Sequence, residues 1–490
     1  MNIKFTKLAV SLTLILAIAS CDSFVEIDPY YAQDADSYFN NPSDYDKALT
    51  GAYDLLQTSY LDLFIGEIAS DNSIAGGESV TDSEGLHQID AMTHGGVNVE
   101  LRNLFRWMYT GITRVNYIYE FKDKVAFDGK NKILAEAAFL RAFYYFQLVK
   151  FFGDVPLVID KRLGASAVPQ QARTAAADVY AQIEKDLLFA SSTLGWTALE
   201  KGRVTKGAAL ALLGKVYLYQ NKFDQAASTL DQVINQGQYS LFAEYDKLFL
   251  VVNESSSETV FDVQYVGSEG GGFGCFVCLE GFLAPGFQGV RGYSGPIYAA
   301  GFSYNLPTKD LFDEYEANDI RKNASILDIE AFKKINPAVK YTVGAGGHTG
   351  YYNNKYIKRQ DQLGLQDQNL TSPVNHKIIR YADVLLMAAE AHNRKASANN
   401  QLALQYVNQV RARAKLPAIS KSGADLTTAI YRERRVEFAG EGLRFFDLVR
   451  TGQAASKIVG FQTGKNELFP IPQAEIDLAN AGWIQNKGYN

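Results

Sequence analysis

Asn131 to Phe152 (NKILAEAAFLRAFYYFQLVKFF) would carry apolar side chains on almost every side if it were helical. A helix with one apolar stripe can lie on a surface, but one that is apolar all round has to be enclosed by neighbours. This stretch therefore commits the chain to helices packed on helices. Gly153 and Pro156 follow at once and supply the stop. Ala175 to Leu194 predicts a more one-sided helix, with Val179, Ile183, Leu187 and Ala190 at helical spacing. At 207–236, Leu210, Leu213, Gly214 and Tyr217 are followed by Ala226 and Leu230, which fits the tetratricopeptide pattern of two antiparallel helices. A looser pair runs from Tyr381 to Ala414, and Tyr45 to Gln57 and Leu104 to Phe121 add further helices. The expected fold is mainly α: about four tetratricopeptide-like helical hairpins, each stacked on the next because none can bury its apolar face alone.

One region breaks the pattern. Gly267 to Gly301 holds eleven of the chain's 40 glycines, interleaved with Phe273, Phe276, Phe282, Phe287, Tyr293 and Tyr298. Glycine at that density excludes a regular helix, since each costs about 1 kcal/mol relative to alanine. The aromatics argue against plain disorder. A second irregular stretch, Val343 to Asn354, has the same character. Short strands are expected at Thr259 to Tyr265 and Lys355 to Lys358. The chain is read as one domain over 21–490, a helical scaffold with an irregular, ligand-facing insert at about 253–375.

The N-terminus is a targeting signal. Lys4 and Lys7 precede the apolar run Leu8 to Ser20, which ends in Ile18-Ala19-Ser20-Cys21. A cysteine at the cleavage point marks the lipoprotein variety, with Cys21 as the acylated residue and 1–20 as the signal peptide. The run is too short to span a bilayer, which takes roughly 20 apolar residues. A net charge of −6 and the lack of any basic block argue against nucleic acid. Cys275 and Cys278 could close a small disulfide loop or remain two thiols. A CxxC can also serve redox or metal chemistry, but no second CxxC or nearby histidine pair completes a zinc set. The five histidines never fall at the i, i+4 spacing of a helical metal pair, so neither metal nor cofactor is expected.

Four ordered motifs then bring a resemblance. AEAAFLRAFYYFQLVKFFGDVPLV (135–158), HKIIRYADVLLMAAEA (376–391), YRERRVEFAGEGLRFFDLVRTG (431–452) and LFPIPQAEIDLANAGWIQNKGY (468–489), together with the lipobox, resemble the SusD/RagB family of outer-membrane lipoproteins. The resemblance implies a lipid-anchored protein exposed on the outer membrane. Such a protein captures an oligosaccharide and passes it to a SusC-like TonB-dependent transporter without chemistry on the ligand. The alternative is a tetratricopeptide scaffold lipoprotein that binds another protein or a peptide.

The charged run from Arg432 to Arg450 is the tempting active site, because paired carboxylates can cleave glycosides. Arginines at this density instead hold carboxylates ionised, which suits an ion-pair network and not a general acid. Pairs at i, i+3 are expected: Arg434 with Glu437, Glu441 with Arg444, and Asp447 with Arg450. The better sugar-binding candidates lie in loops, where flat aromatics can meet a pyranose face beside placed polar groups. They are Asp71, Asn72, Tyr265, Phe273, Arg291, Tyr293 and Tyr351. Trp107 is read as core packing.

Overall fold

The computed structural model describes residues 35–163, 167–267, 273–278, 280–362, 370–480 and 482–489; the signal peptide expected at 1–20 and the expected acylation site Cys21 lie outside them. The longer helices are α1 (Pro42–Asp54), α2 (Tyr60–Ile68), α3 (Val99–Glu120), α4 (Lys130–Phe152), α5 (Ala176–Thr193), α6 (Lys206–Tyr219), α7 (Phe223–Asn235), α8 (Tyr381–Arg394), α9 (Asn400–Arg413), α10 (Gly423–Glu437) and α11 (Arg444–Arg450). The short strands are β1 (Ser73–Ala75), β2 (Thr259–Val263), β3 (Asn305–Pro307), β4 (Ile326–Asp328), β5 (Tyr351–Asn353) and β6 (His376–Arg380). They form three antiparallel ribbons, β1 with β3, β2 with β6 and β4 with β5.

The protein is mainly helical and built from tetratricopeptide-like hairpins. Each helix from α3 to α7 packs on the next, and α7 then packs on α8, although all of 236–380 lies between them in sequence. The insert therefore leaves the stack and returns to it without interrupting it. Every residue of α4 from Leu134 to Val149 is buried, as an all-round apolar helix requires. Local signals start the helices. Asn41 and Asp44 form a capping box on α1, and the Thr205 and Asn98 side chains cap α6 and α3. The repeat pattern is explained by Gly214 on α6: a Cβ there would lie 2.5 Å from Leu230 of α7. Only glycine allows that approach, and Leu230 is fully buried as a result.

One apolar cluster runs from Phe39 to Ile471 and fills the stack. A smaller one under the insert contains Val290, Tyr293, Tyr298, Leu306, Leu327 and Tyr352. The strand expected at Thr259 to Tyr265 forms as β2. The one expected at Lys355 to Lys358 does not, and the strand lies just before it, at β5. There the Asn353 side chain accepts from the backbone N–H groups of Lys355 and Tyr356 at 3.0 and 3.1 Å. That turn consumes the donors a ladder would need.

The charged run is an ion-pair network, but mostly not between the expected pairs. Asp447 and Arg450 do pair at 2.7 Å. Arg434 instead meets Asp383 and Asp447, Arg444 meets Asp71, and Glu441 meets Lys355 and Arg380. The physical reason is orientation. These side chains face the interior, and α10 ends at Glu437, so Glu441 and Arg444 share no helical face with their expected partners. At the centre, Glu437 accepts from Arg413 at 2.5 Å and from Arg380 and Arg321 at 3.0 Å each. Burial pushes the Glu437 carboxyl up, but Arg413, Arg380 and Arg321 outweigh it and hold it far below its ordinary value of 4.5.

Glu437→Gln strands three buried cations and is expected to cost about 3–5 kcal/mol in urea unfolding at pH 7. A depressed carboxyl contributes its stability above the unfolded pKa and loses it as pH falls towards the folded one. The gap between wild type and variant should therefore narrow below about pH 4.5, and a gap that stays constant down to pH 3 would contradict this account.

Candidate functional site

The site is built where three glycine-bearing loops pack backbone to backbone. After β1, Gly76 and Gly77 extend the pairing with β3 by donating to the Tyr304 and Ser303 carbonyls at 3.2 and 2.9 Å. The third loop crosses them, with the Ala345 N–H donating to the Glu78 carbonyl at 2.8 Å. A Cβ on Gly344 would lie 1.9 Å from the Gly77 carbonyl oxygen, so no other residue permits this crossing without displacement. The second loop brings Arg291, whose carbonyl accepts from the Thr342 N–H at 2.9 Å. Together they leave an open cleft of about 560 Å³, lined by Glu78, Arg291, Phe302, Thr342 and Gly344 among others.

The floor is polar and fixed. Arg291 donates to the Phe302 carbonyl at 2.9 Å and to Asp82 at 3.2 Å, and stands 3.6 Å from Glu78. Its Nε meets no acceptor among the described residues. Asp82 also accepts from the Tyr304 hydroxyl at 2.9 Å and the Glu78 N–H at 2.8 Å. Burial, with the Asp82 carboxylate adding to it, pushes the Tyr304 phenol up to about 12, so it stays a donor. One wall is aromatic. Phe302 stacks on Tyr304 with centroids 5.8 Å apart, and Phe273 meets Phe302 edge-on at 5.7 Å. Phe273 remains 58% exposed. The structure joins Cys275 to Cys278 in the short loop that follows, and Phe276 packs from that loop against Phe287.

Of the residues expected from sequence, Phe273 and Arg291 are brought together through Phe302. The others lie elsewhere, each held by other neighbours. Asp71 accepts from Arg444 at 2.7 and 2.8 Å, and Asn72, buried, accepts from Arg435 at 3.0 Å. Tyr265 is buried, stacked on Phe282, and donates to the Gln57 carbonyl. Tyr293 sits in the small core and donates to the Pro296 carbonyl at 2.6 Å. Tyr351 stacks on Phe312 at 4.5 Å, away from the cleft lining. Glu78, Asp82, Phe302, Tyr304 and Thr342 were not anticipated. Phe302 and Tyr304 follow the last glycine of the Gly-rich window, and Asp82 lies in the polar run after β1, so a wider window would have reached them.

Among the described residues no group of histidine, cysteine, aspartate and glutamate could hold a metal ion. No helix among them is long and apolar enough to cross a membrane.

The stacked helical scaffold thus carries, on its loops, an open cleft lined by Phe302 and the polar Arg291, Glu78 and Thr342. The chain matches the family model described as SusD family over residues 235–489, and the model described as starch-binding, associating with outer membrane, over 23–218. It belongs to the SusD family. SusD-like protein P2 of Formosa agariphila is 28% identical, across 98% of both chains. A solved laminarin binding SusD-like protein is 34% identical with a TM-score of 0.84, covering 92% of this chain and all of that one. Surface glycan-binding protein A from Bacteroides thetaiotaomicron, solved in complex with laminarihexaose, is 26% identical with a TM-score of 0.80, covering 91% and 100%. Both of these solved relatives are named for glycan binding.

Gly344→Ala should lower the thermal midpoint, since overpacking costs about 1–3 kcal/mol, and it should weaken any ligand of the cleft. Gly350→Ala on the same loop, where a Cβ meets nothing within 4 Å but φ is +83°, is expected to cost only the smaller backbone strain. Equal losses in a melting experiment would count against the crossing.

Proposed function

We propose that the chain is a surface lipoprotein, acylated at Cys21, that captures an oligosaccharide of the laminarin type in this cleft. It then hands the glycan to a SusC-like TonB-dependent transporter in the outer membrane. The carrying observation is that Phe302 and Arg291 line one open cleft, with exposed Phe273 edge-on to Phe302 and Tyr304 stacked behind it. A pyranose has an apolar C–H face and a rim of hydroxyls. The aromatic wall suits the first, and the Arg291, Glu78 and Thr342 side chains suit the second. The names of the two solved relatives support laminarin over other glycans. The same reading treats 21–490 as one unit. Asp71, Asn72, Tyr265, Tyr293 and Tyr351 act in it as scaffold, because their polar atoms or faces are already spent.

Laminarihexaose titrated calorimetrically into the soluble form should show Phe273→Ala weakening binding about tenfold or more, on the scale of the ~1.5 kcal/mol that burying an aromatic side chain contributes. Arg291→Ala should weaken it similarly. Tyr293→Phe, in the neighbouring small core, should leave it unchanged. Unaltered affinity in both cleft variants would move the sugar elsewhere on the molecule.

A further inference from the structure

The aromatic wall beside the cleft ends in a turn that little else holds. Phe273 stands between Gly272 and Gly274 in the sequence, so the neighbouring backbone restrains it weakly. Its ring lies over buried Phe287, with centroids 6.5 Å apart and planes 24° from parallel. Phe276 and Phe302 flank it near right angles, at 6.2 and 5.7 Å. With one face of Phe273 turned to Phe287, the exposed face is the outer one.

Hydrogen bonds do not fix this ring. Among the described residues, the backbone of 273–278 makes a single hydrogen bond, from the Cys278 N–H to the Cys275 carbonyl at 3.3 Å. That bond is internal to the turn. The next fixed point is Glu280, whose carbonyl accepts from the Val266 N–H at 2.9 Å and whose carboxylate accepts from Gln57 at 2.8 Å. Between Phe273 and Glu280 a free chain could extend to about 25 Å.

The disulfide removes much of that slack. It holds the Cys275 and Cys278 Cα atoms 5.4 Å apart, where the free chain between them could reach about 10 Å. Inside the closed turn, Phe276 packs on Phe287 at 5.9 Å and on Tyr60 at 6.5 Å. The stapled turn is thus seated on the body by one ring, and Phe273 lies against that same ring.

We propose that the Cys275–Cys278 disulfide is a positioning device for sugar binding, presenting the outer face of Phe273 already in place to a pyranose ring of the bound glycan. The inference rests on the reading that this cleft binds a laminarin-type oligosaccharide, and it adds which covalent bond sets the platform. A ring that wanders before binding has to be ordered by the ligand, which subtracts from affinity; a seated ring does not. Because the staple closes a very short loop, it adds little to the stability of the whole chain. Its effect belongs in binding.

Laminarihexaose titrated calorimetrically into the mature chain tests this. Cys275→Ser with Cys278→Ser should weaken binding about fivefold, the scale of ordering one side chain, with little change in the thermal midpoint. Added to Phe273→Ala, the same serine pair should produce no further loss, because the ring it positions is gone. Phe276→Ala keeps the disulfide but removes the ring that seats the turn, and should weaken binding to a similar extent. Unchanged affinity in the serine pair, or a further fivefold loss when it is added to Phe273→Ala, would overturn the inference and leave the cleft reading intact. Unchanged affinity in Phe276→Ala would do the same, whether or not the serine pair folds. A wild type that binds no laminarihexaose would remove the cleft reading and this inference together.

Discussion

Arg380 sits where β6 passes into α8, and it reaches three carboxylates from three other parts of the chain. Glu258 precedes β2, Glu437 closes α10 at 3.0 Å, and Glu441 follows it at 2.8 Å. Arg413 at the end of α9 shares Glu258 and Glu437, while Arg321 and Lys355 reach in from the insert. All of these side chains are nearly or fully buried. A network of this kind gains little net energy over apolar packing, because desolvating each ion offsets most of the Coulomb attraction. What it does determine is position, since every cation has acceptors in this one arrangement. The insert shares the main apolar cluster through Phe261, Phe282, Phe287 and Tyr356, and Arg321 and Lys355 fix its position on the stack by finding Glu437 and Glu441. The cleft depends on that position.

The 29 tyrosines and 29 phenylalanines divide along the same line. Most fill the core, and the tyrosines among them also satisfy backbone carbonyls that packing would strand. Tyr45 donates to Phe121, Tyr144 to Ala52, Tyr109 to Pro156 and Tyr315 to Val436, each at 2.6–3.0 Å. Several of these acceptors lie at or just beyond helix ends, where carbonyls lack intrahelical partners. Aromatic abundance is thus chiefly a consequence of stacking many helices. Phe273 stays open to solvent where glycines thin the packing.

The stack was legible in the sequence because its information is local. All-round apolarity placed α4 in the interior, and the spacing of Gly214 and Leu230 described a contact that the structure contains. The ion network was legible as a kind but not as pairs. Arg434 and Glu437 are three apart, yet α10 ends at Glu437, and the partner Arg434 finds, Asp383, comes from α8. Spacing cannot see a partner on another element. The cleft was the least legible part. Phe273 and Arg291 stood out because each is conspicuous in a glycine-rich stretch. Glu78 and Asp82 carry no local signal, and become cleft residues only because β1 pairs with β3. Tyr265 and Tyr293 stood in the same kind of sequence as Phe273, and no spacing rule separates a ring that ends inside from one that ends outside.

Carboxyls raised towards neutrality are what a glycosidase would need for an acid, so their location bears on what the cleft can do. Burial raises Glu67 to about 7, although hydrogen bonds from Gly442 and Asn72 oppose it. That carboxyl is completely enclosed, with one oxygen held by the Gly442 N–H at 2.8 Å and the other near Asn72. Burial also raises Glu100 to about 7, at the first turn of α3 and outside the cleft lining. Behind the cleft lining, Asp82 spends its oxygens on Tyr304, Arg291 and the Glu78 N–H, bonds that hold Arg291 and the Glu78 backbone in place. Neither Glu67 nor Glu100 lines the cleft, and the carboxylate beside it, Asp82, is spent on geometry. That division suits a protein that grips a sugar and releases it intact.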